Sequence, residues 1–281
     1  MNSASLSVCL AAVSENLEFS DGGPAFEGLS FFTVRSQALH GRADMTLFIA
    51  PEARGQRNVP LVLLLHGAHG SHWSWTVRAG AHRLAQKLIR EGKLPPLVLA
   101  MPSDGMWGDG SGYLTHQNQD FEKWIVADVP AAVRGATACV SLDSPVFIGG
   151  LSMGGFGALR IGAKYPKKYR GISAHSSITH VKQMTKYVAE DPTLFGVPED
   201  DYSVLEAMRR NRDALPPIRF DCGLEDPLLE YNQQLHRDLE GKGIAHRYEE
   251  YPGGHDWIYW TAHLQDSLRF FGQILNGQHH A

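Results

Sequence analysis

The feature that most constrains this chain is an alternation of short apolar runs with stretches of helical spacing. Residues 59–65, 97–101, 145–148, 171–174, 218–222 and 247–251 read as strands. Residues 79–90, 121–133, 155–165, 228–239 and 256–275 read as the helices between and after them. Strands that are apolar on both faces and joined by helices make a parallel sheet covered on both sides. Ahead of them, the β-rich runs 31–34 and 45–49 flank His40-Gly41-Arg42, a hairpin pattern. The expected class is therefore α/β, with a mostly parallel central sheet, an antiparallel N-terminal hairpin and helices on both faces. No repeat or Pro/Gly/Ser-rich linker interrupts the alternation, so residues 1–281 read as a single domain with its core at 30–275. Residues 176–216 hold helical pieces without a convincing strand. They are expected to be a helical insertion that could cap the strand ends.

Composition narrows the function classes. The chain has 26 Lys and Arg against 30 Asp and Glu, a net charge of −4, which leaves no basic footprint for nucleic acid. No apolar run reaches the roughly 18 residues that a membrane-spanning helix needs. Cys9, Cys139 and Cys222 are an odd number and far apart, which argues against a disulfide framework or a cysteine zinc site and suits a reducing compartment. The apolar stretch 6–13 has no Lys or Arg before it, unlike a secretory signal, so a cytoplasmic protein is expected. The closing His279-His280 supports no metal site. A homo-oligomer is left open.

The chemistry is concentrated where the strand 145–148 runs into Gly150-Leu151-Ser152-Met153-Gly154. A G-x-S-x-G pentapeptide between a strand and a helix puts a serine on a sharp turn. Its oxygen then stands clear of the sheet and the next backbone N–H faces a developing oxyanion. The strand before it and the small-residue stretch Gly154-Gly155-Phe156-Gly157-Ala158 after it supply that context.

A serine hydroxyl needs a base. His255, in the loop after the last strand and before the last helix, is preferred. His175 is its rival, and His236 reads as a helix-surface residue. The acid is expected after the strand 218–222, where Asp226 precedes Pro227 and is thereby held extended. Glu225 and Asp221 are the alternatives. The loop His66-Gly67-Ala68-His69-Gly70 follows the first long apolar strand, so the backbone N–H groups of Ala68 and Met153 are the expected oxyanion donors. His66, His69 and His72 are spaced by three, but the intervening glycines favour a loop over a metal site.

Four segments together resemble the esterase D-like "putative esterase" group of α/β-hydrolases. They are Leu65-His66-Gly67, the serine block Gly150 through Ala158, Cys222-Gly223-Leu224-Glu225-Asp226, and Gly253-Gly254-His255-Asp256-Trp257. That group includes tributyrin and acetyl esterases, S-formylglutathione hydrolases, feruloyl esterases and the antigen 85 mycolyltransferases. The resemblance implies the α/β-hydrolase fold, a Ser152–Asp226–His255 triad, oxyanion donors at Ala68 and Met153, and no cofactor or metal.

The expected activity is hydrolysis of a small short-chain acyl ester or thioester through an acyl-enzyme. Alternatives are action on S-formylglutathione, feruloyl or acetyl-sugar esters, acyl transfer to an alcohol, and a non-catalytic scaffold. Departures from the group's pattern put Trp73 and Trp75 in the oxyanion loop and Trp107 and Tyr113 in the segment after Pro102. With Trp257, these aromatics are the expected substrate-binding residues, and their bulk implies a short acyl pocket.

Overall fold

The computed structural model describes residues 17–21, 28–192 and 195–278. Cys9, the apolar stretch 6–13 and His279-His280 lie outside them. Nine strands among the described residues form one sheet in the order β1-β2-β3-β5-β4-β8-β9-β10-β11. β1 (Leu17–Asp21), β2 (Leu29–Ser36) and β3 (Gly41–Ile49) form an antiparallel meander, and β3 joins β5 (Val98–Pro102) antiparallel. From β5 onward the sheet is parallel, through β4 (Leu61–Leu65), β8 (Val146–Leu151), β9 (Gly171–His175), β10 (Ile218–Gly223) and β11 (Arg247–Tyr251). Every residue of β4, β5, β9 and β10 is buried, which accounts for their unbroken apolar runs. A small hairpin, β6 (Thr115–His116) with β7 (Gln119–Asp120), lies apart from this sheet.

The helices are α1 (Ser74–Val77), α2 (Ala81–Arg90), α3 (Phe121–Lys123), α4 (Val129–Ala136), α5 (Met153–Lys164), α6 (Val204–Arg210), α7 (Leu229–Gly241) and α8 (Trp257–Leu275). Neighbouring residues of a strand face opposite sides of a sheet. Gly149 faces Phe271 of α8 and Gly150 faces the start of α5, so these two long helices cover opposite faces.

The expected helix 121–133 is not uniform. A π-helical turn, Trp124–Asp128, connects α3 to α4. Pro130 supplies the reason, since a proline inside a helix lacks an N–H and crowds the carbonyl four residues back, and a widened turn relieves both. Residues 176–216 hold 3-10 turns at Val181–Lys186, Glu199–Tyr202 and Arg212–Ala214, α6, and one isolated bridge, His180 to Ser203.

An ion network ties this region, through Asp201, to α5 and α3. Arg160 of α5 is 0% exposed and places Nη1 2.6 Å from Glu122 Oε2. Its Nη2 donates to the Tyr113 carbonyl at 2.7 Å. Lys164 bridges Glu122 and Asp201, and the Tyr165 hydroxyl donates to Glu122 at 2.5 Å.

Candidate active site

Ser152 sits between β8 and α5 with φ 53° and ψ −119°. A non-glycine residue at positive φ is costly and persists only where its surroundings over-determine it. Here the Ser152 N–H donates to the His175 carbonyl at 3.0 Å, and its carbonyl accepts from Phe156 and Ile178. The flanking glycines leave room for the turn. A Cβ on Gly150 would collide with the Gly154 carbonyl, and one on Gly154 with the carbonyls of Leu65 and His66.

His255 leaves the loop after β11 and brings Nε2 to 3.0 Å from Ser152 Oγ. Its Nδ1 lies 2.9 Å and 3.1 Å from the two carboxylate oxygens of Asp226, which leaves the loop after β10. One Asp226 oxygen also accepts from the Leu228 N–H at 2.8 Å, so the carboxylate is fixed from its own turn. Burial pushes the Asp226 pKa up, but the hydrogen bonds and charge of His255, with the Leu228 N–H, more than offset this and hold it below the ordinary value.

The rival residues have other partners. Glu225 accepts from the Gly253 N–H at 2.5 Å and braces the loop that carries His255. His236 pairs with His246 at 2.8 Å. His175 and Asp221 are joined at 2.8 Å deep in the core, and His175 Nε2 meets Ser267 Oγ at 2.7 Å. Burial pushes the Asp221 pKa up, but His175, Arg219 and the Tyr259 hydroxyl, which all bond its carboxylate, more than offset this and hold it well below the ordinary value.

The loop expected to supply an oxyanion donor follows β4. Among the described residues, neither the Ala68 nor the Met153 N–H has a hydrogen-bond acceptor, and Met153 opens α5, whose dipole favours negative charge there. The loop is pressed onto the serine: a Cβ on Gly67 would lie 3.3 Å from Ser152 Cβ. Its histidines turn to separate partners. His66 Nε2 accepts from the Asp104 N–H at 3.0 Å, so Nδ1 carries the proton and donates to the Gly67 carbonyl at 2.7 Å. His72 meets Thr46, and His69 Nε2 donates to the Tyr187 carbonyl at 2.7 Å.

The cleft over Ser152 encloses about 250 Å³. Of the aromatics expected there, Trp73 and Trp257 line it. Trp75 and Tyr113 do not; they are 1% and 0% exposed. The Trp75 indole donates to the Leu65 carbonyl at 3.1 Å and the Tyr113 hydroxyl to the His66 carbonyl at 3.0 Å, so both brace the start of the loop after β4. Trp107 packs on His116 and Phe195, away from the cleft lining.

Sequence reasoning missed Trp260, Tyr187 and Arg78, which also line the cleft. Trp260 stands three residues after Trp257, a helical spacing that could have revealed it. Tyr187 stacks on His255 with ring centres 5.6 Å apart, and no local motif announces it.

A family model described as "Putative esterase" matches residues 36–271, most of the chain. The chain belongs to this family. As an esterase it is a carboxylic ester hydrolase, acting on small-molecule esters. It is 27% identical to an acetyl esterase of Caldicellulosiruptor saccharolyticus, over 77% of this chain and 85% of that one. Among solved structures, a ferulic acid esterase superposes with a TM-score of 0.74 at 19% identity, covering 92% of this chain and 99% of the other. An S-formylglutathione hydrolase from Agrobacterium tumefaciens gives 0.72 at 20% identity, covering 88% and 95%. The esterase thus has the α/β-hydrolase fold. No helix among its described residues is long and apolar enough to cross a membrane.

Proposed function

We propose that this esterase is a serine carboxylesterase that cleaves short-chain acyl esters or thioesters through an acyl-enzyme on Ser152. The observation that carries the reading is the hydrogen-bonded line from Ser152 Oγ through His255 to Asp226, with Nε2 and Oγ 3.0 Å apart at the floor of a cleft. In this reading Ser152 Oγ attacks the acyl carbon as its proton passes to His255 Nε2. The carbonyl electron pair moves onto oxygen, where the Ala68 and Met153 N–H groups hold it. The electron pair returns, the C–O or C–S bond breaks, and the leaving group takes the proton from His255. Water repeats the sequence: His255 removes its proton, its oxygen bonds to the acyl carbon, and Ser152 Oγ recovers a proton as the acid departs. Asp226 holds the imidazole in the tautomer this requires.

The insertion 176–216 forms part of the wall over His255 through Tyr187, within one domain. Its position is fixed by the Asp109 carboxylate, which accepts from the Ala189 N–H at 2.9 Å, and by the His69 contact to Tyr187. The cleft's small volume and its tryptophans favour acetyl to butyryl groups over octanoyl and longer ones.

A fluorophosphonate that labels the wild type but not Ser152→Ala tests the nucleophile. p-Nitrophenyl esters from acetyl to decanoyl, beside S-formylglutathione and methyl ferulate, test the substrate. Product analysis with an added alcohol separates hydrolysis from acyl transfer. No labelling of folded wild type would overturn the reading in favour of a scaffold.

A further inference from the structure

The cleft is unbalanced in charge. Among the described residues that line it, Arg78 is the one Lys or Arg, and no Asp or Glu is among them. Arg78 follows α1, and its backbone N–H is spent on the Ser74 carbonyl at 3.0 Å. Its guanidinium has no ion-pair or hydrogen-bond partner among the described residues and is exposed to solvent. Most other groups around the cleft are committed: Ser74 Oγ accepts from the Ser71 N–H, the Tyr187 carbonyl from His69, and Asp226 holds His255 and Leu228. The Trp260 indole N–H, by contrast, has no acceptor among the described residues although its ring is 7% exposed. Beside these free donors stand the rings of Trp73, Tyr187 and Trp257, flat apolar surface suited to an aromatic group.

A guanidinium presents donors in a planar fork that matches a carboxylate. An unpaired one on an aromatic wall without competing carboxylates selects for a ligand bearing negative charge. We propose that Arg78 is a specificity residue and that the preferred substrate of this esterase is an aromatic ester carrying a carboxylate away from the scissile bond. This rests on the Ser152 reading above.

The test compares 4-acetoxybenzoate with its neutral counterpart 4-acetoxybenzamide in wild type, Arg78→Gln and Arg78→Glu, with benzoate and benzamide as competitive inhibitors of p-nitrophenyl acetate hydrolysis. The wild-type preference in kcat/KM for the carboxylate over the carboxamide should fall about tenfold in Arg78→Gln and further in Arg78→Glu. Benzoate should lose inhibition in the same order, benzamide should not, and added salt should weaken the wild-type preference. If only benzoate inhibition depends on Arg78, the carboxylate belongs on the acyl side of the substrate and the role of Arg78 stands. A preference and a benzoate inhibition that are both unchanged in the two variants would overturn it. Failure of the Ser152 reading looks different: Ser152→Ala would then keep p-nitrophenyl acetate hydrolysis, or wild type would hydrolyse neither that ester nor 4-acetoxybenzamide, and the inference would fall with it.

Discussion

Glu122 holds several side chains at once through its carboxylate. It is 6% exposed and neutralises Arg160, which is 0% exposed, and it also accepts from Tyr165 and meets Lys164. Glu122→Gln keeps an acceptor for Tyr165 but leaves the Arg160 guanidinium with the Tyr113 carbonyl and a distant Asp201 oxygen at 3.6 Å. Breaking one side of a buried pair costs about 3–5 kcal/mol, and the retained amide oxygen puts this case at about 3 kcal/mol. For 281 residues, about 2.1 cal/mol/K per residue gives an unfolding entropy of about 0.6 kcal/mol/K, so Tm should fall about 5 °C.

The pH dependence of that loss has a definite sign. Burial pushes the Glu122 pKa up, but Arg160, Tyr165 and Lys164 together bring it below the ordinary value. Its contribution is therefore full above the unfolded value of about 4.3 and is lost as pH falls through the lower folded value. Calorimetry of wild type and Glu122→Gln should show the gap widest near neutral pH and closing in acid below about pH 4. Adding Arg160→Met to Glu122→Gln should recover part of the loss by removing the stranded charge. Equal Tm values at neutral pH, or a gap that widens in acid, would refute the assignment.

Ser152→Ala should lower esterase kcat by about 10³-fold or more with Tm little changed, and turnover near wild type in a clean preparation would remove Ser152 as nucleophile. Asp226→Asn should cost about 10³- to 10⁴-fold in kcat, because an amide fixes the wrong imidazole tautomer; a loss below about tenfold would contradict the role given to it. Trp257→Ala should move the acyl-length optimum in a p-nitrophenyl ester series upward by opening the cleft wall, whereas Trp107→Ala should leave that profile in place. A shift with Trp107→Ala alone would reverse the placement of the two rings.

The parallel part of the sheet was legible because both of its faces are covered: with no solvent side there is no polar alternation, and the apolar runs stand out. The Ser152 turn was legible because glycines two residues to either side serve a steric need that few other residues can meet. Trp75 and Tyr113 were misplaced for a physical reason. A tryptophan in a loop carries both a large apolar face and one donor, so it suits a cleft wall or the core equally. Whether its donor meets a substrate or the Leu65 carbonyl depends on packing between distant segments. The same holds for Tyr187, brought to His255 by the contacts of Asp109 and His69 rather than by any local pattern. The N-terminal 50 residues read as strands, but β1 was not delimited, since its bounds are set by its pairing with β2.

The cluster of Ser267, His175 and Asp221 repeats the residue types of the cleft within the same molecule. Ser267, His175 and Asp221 are 2%, 1% and 0% exposed, and Ser267 is further occupied by Ser173 Oγ at 2.6 Å. A covalent warhead aimed at activated serines would therefore meet one target here, because the second has no approach for a molecule of any size. Selectivity toward such reagents is set by access, and it should collapse on unfolding, when both serines become ordinary hydroxyls and neither reacts.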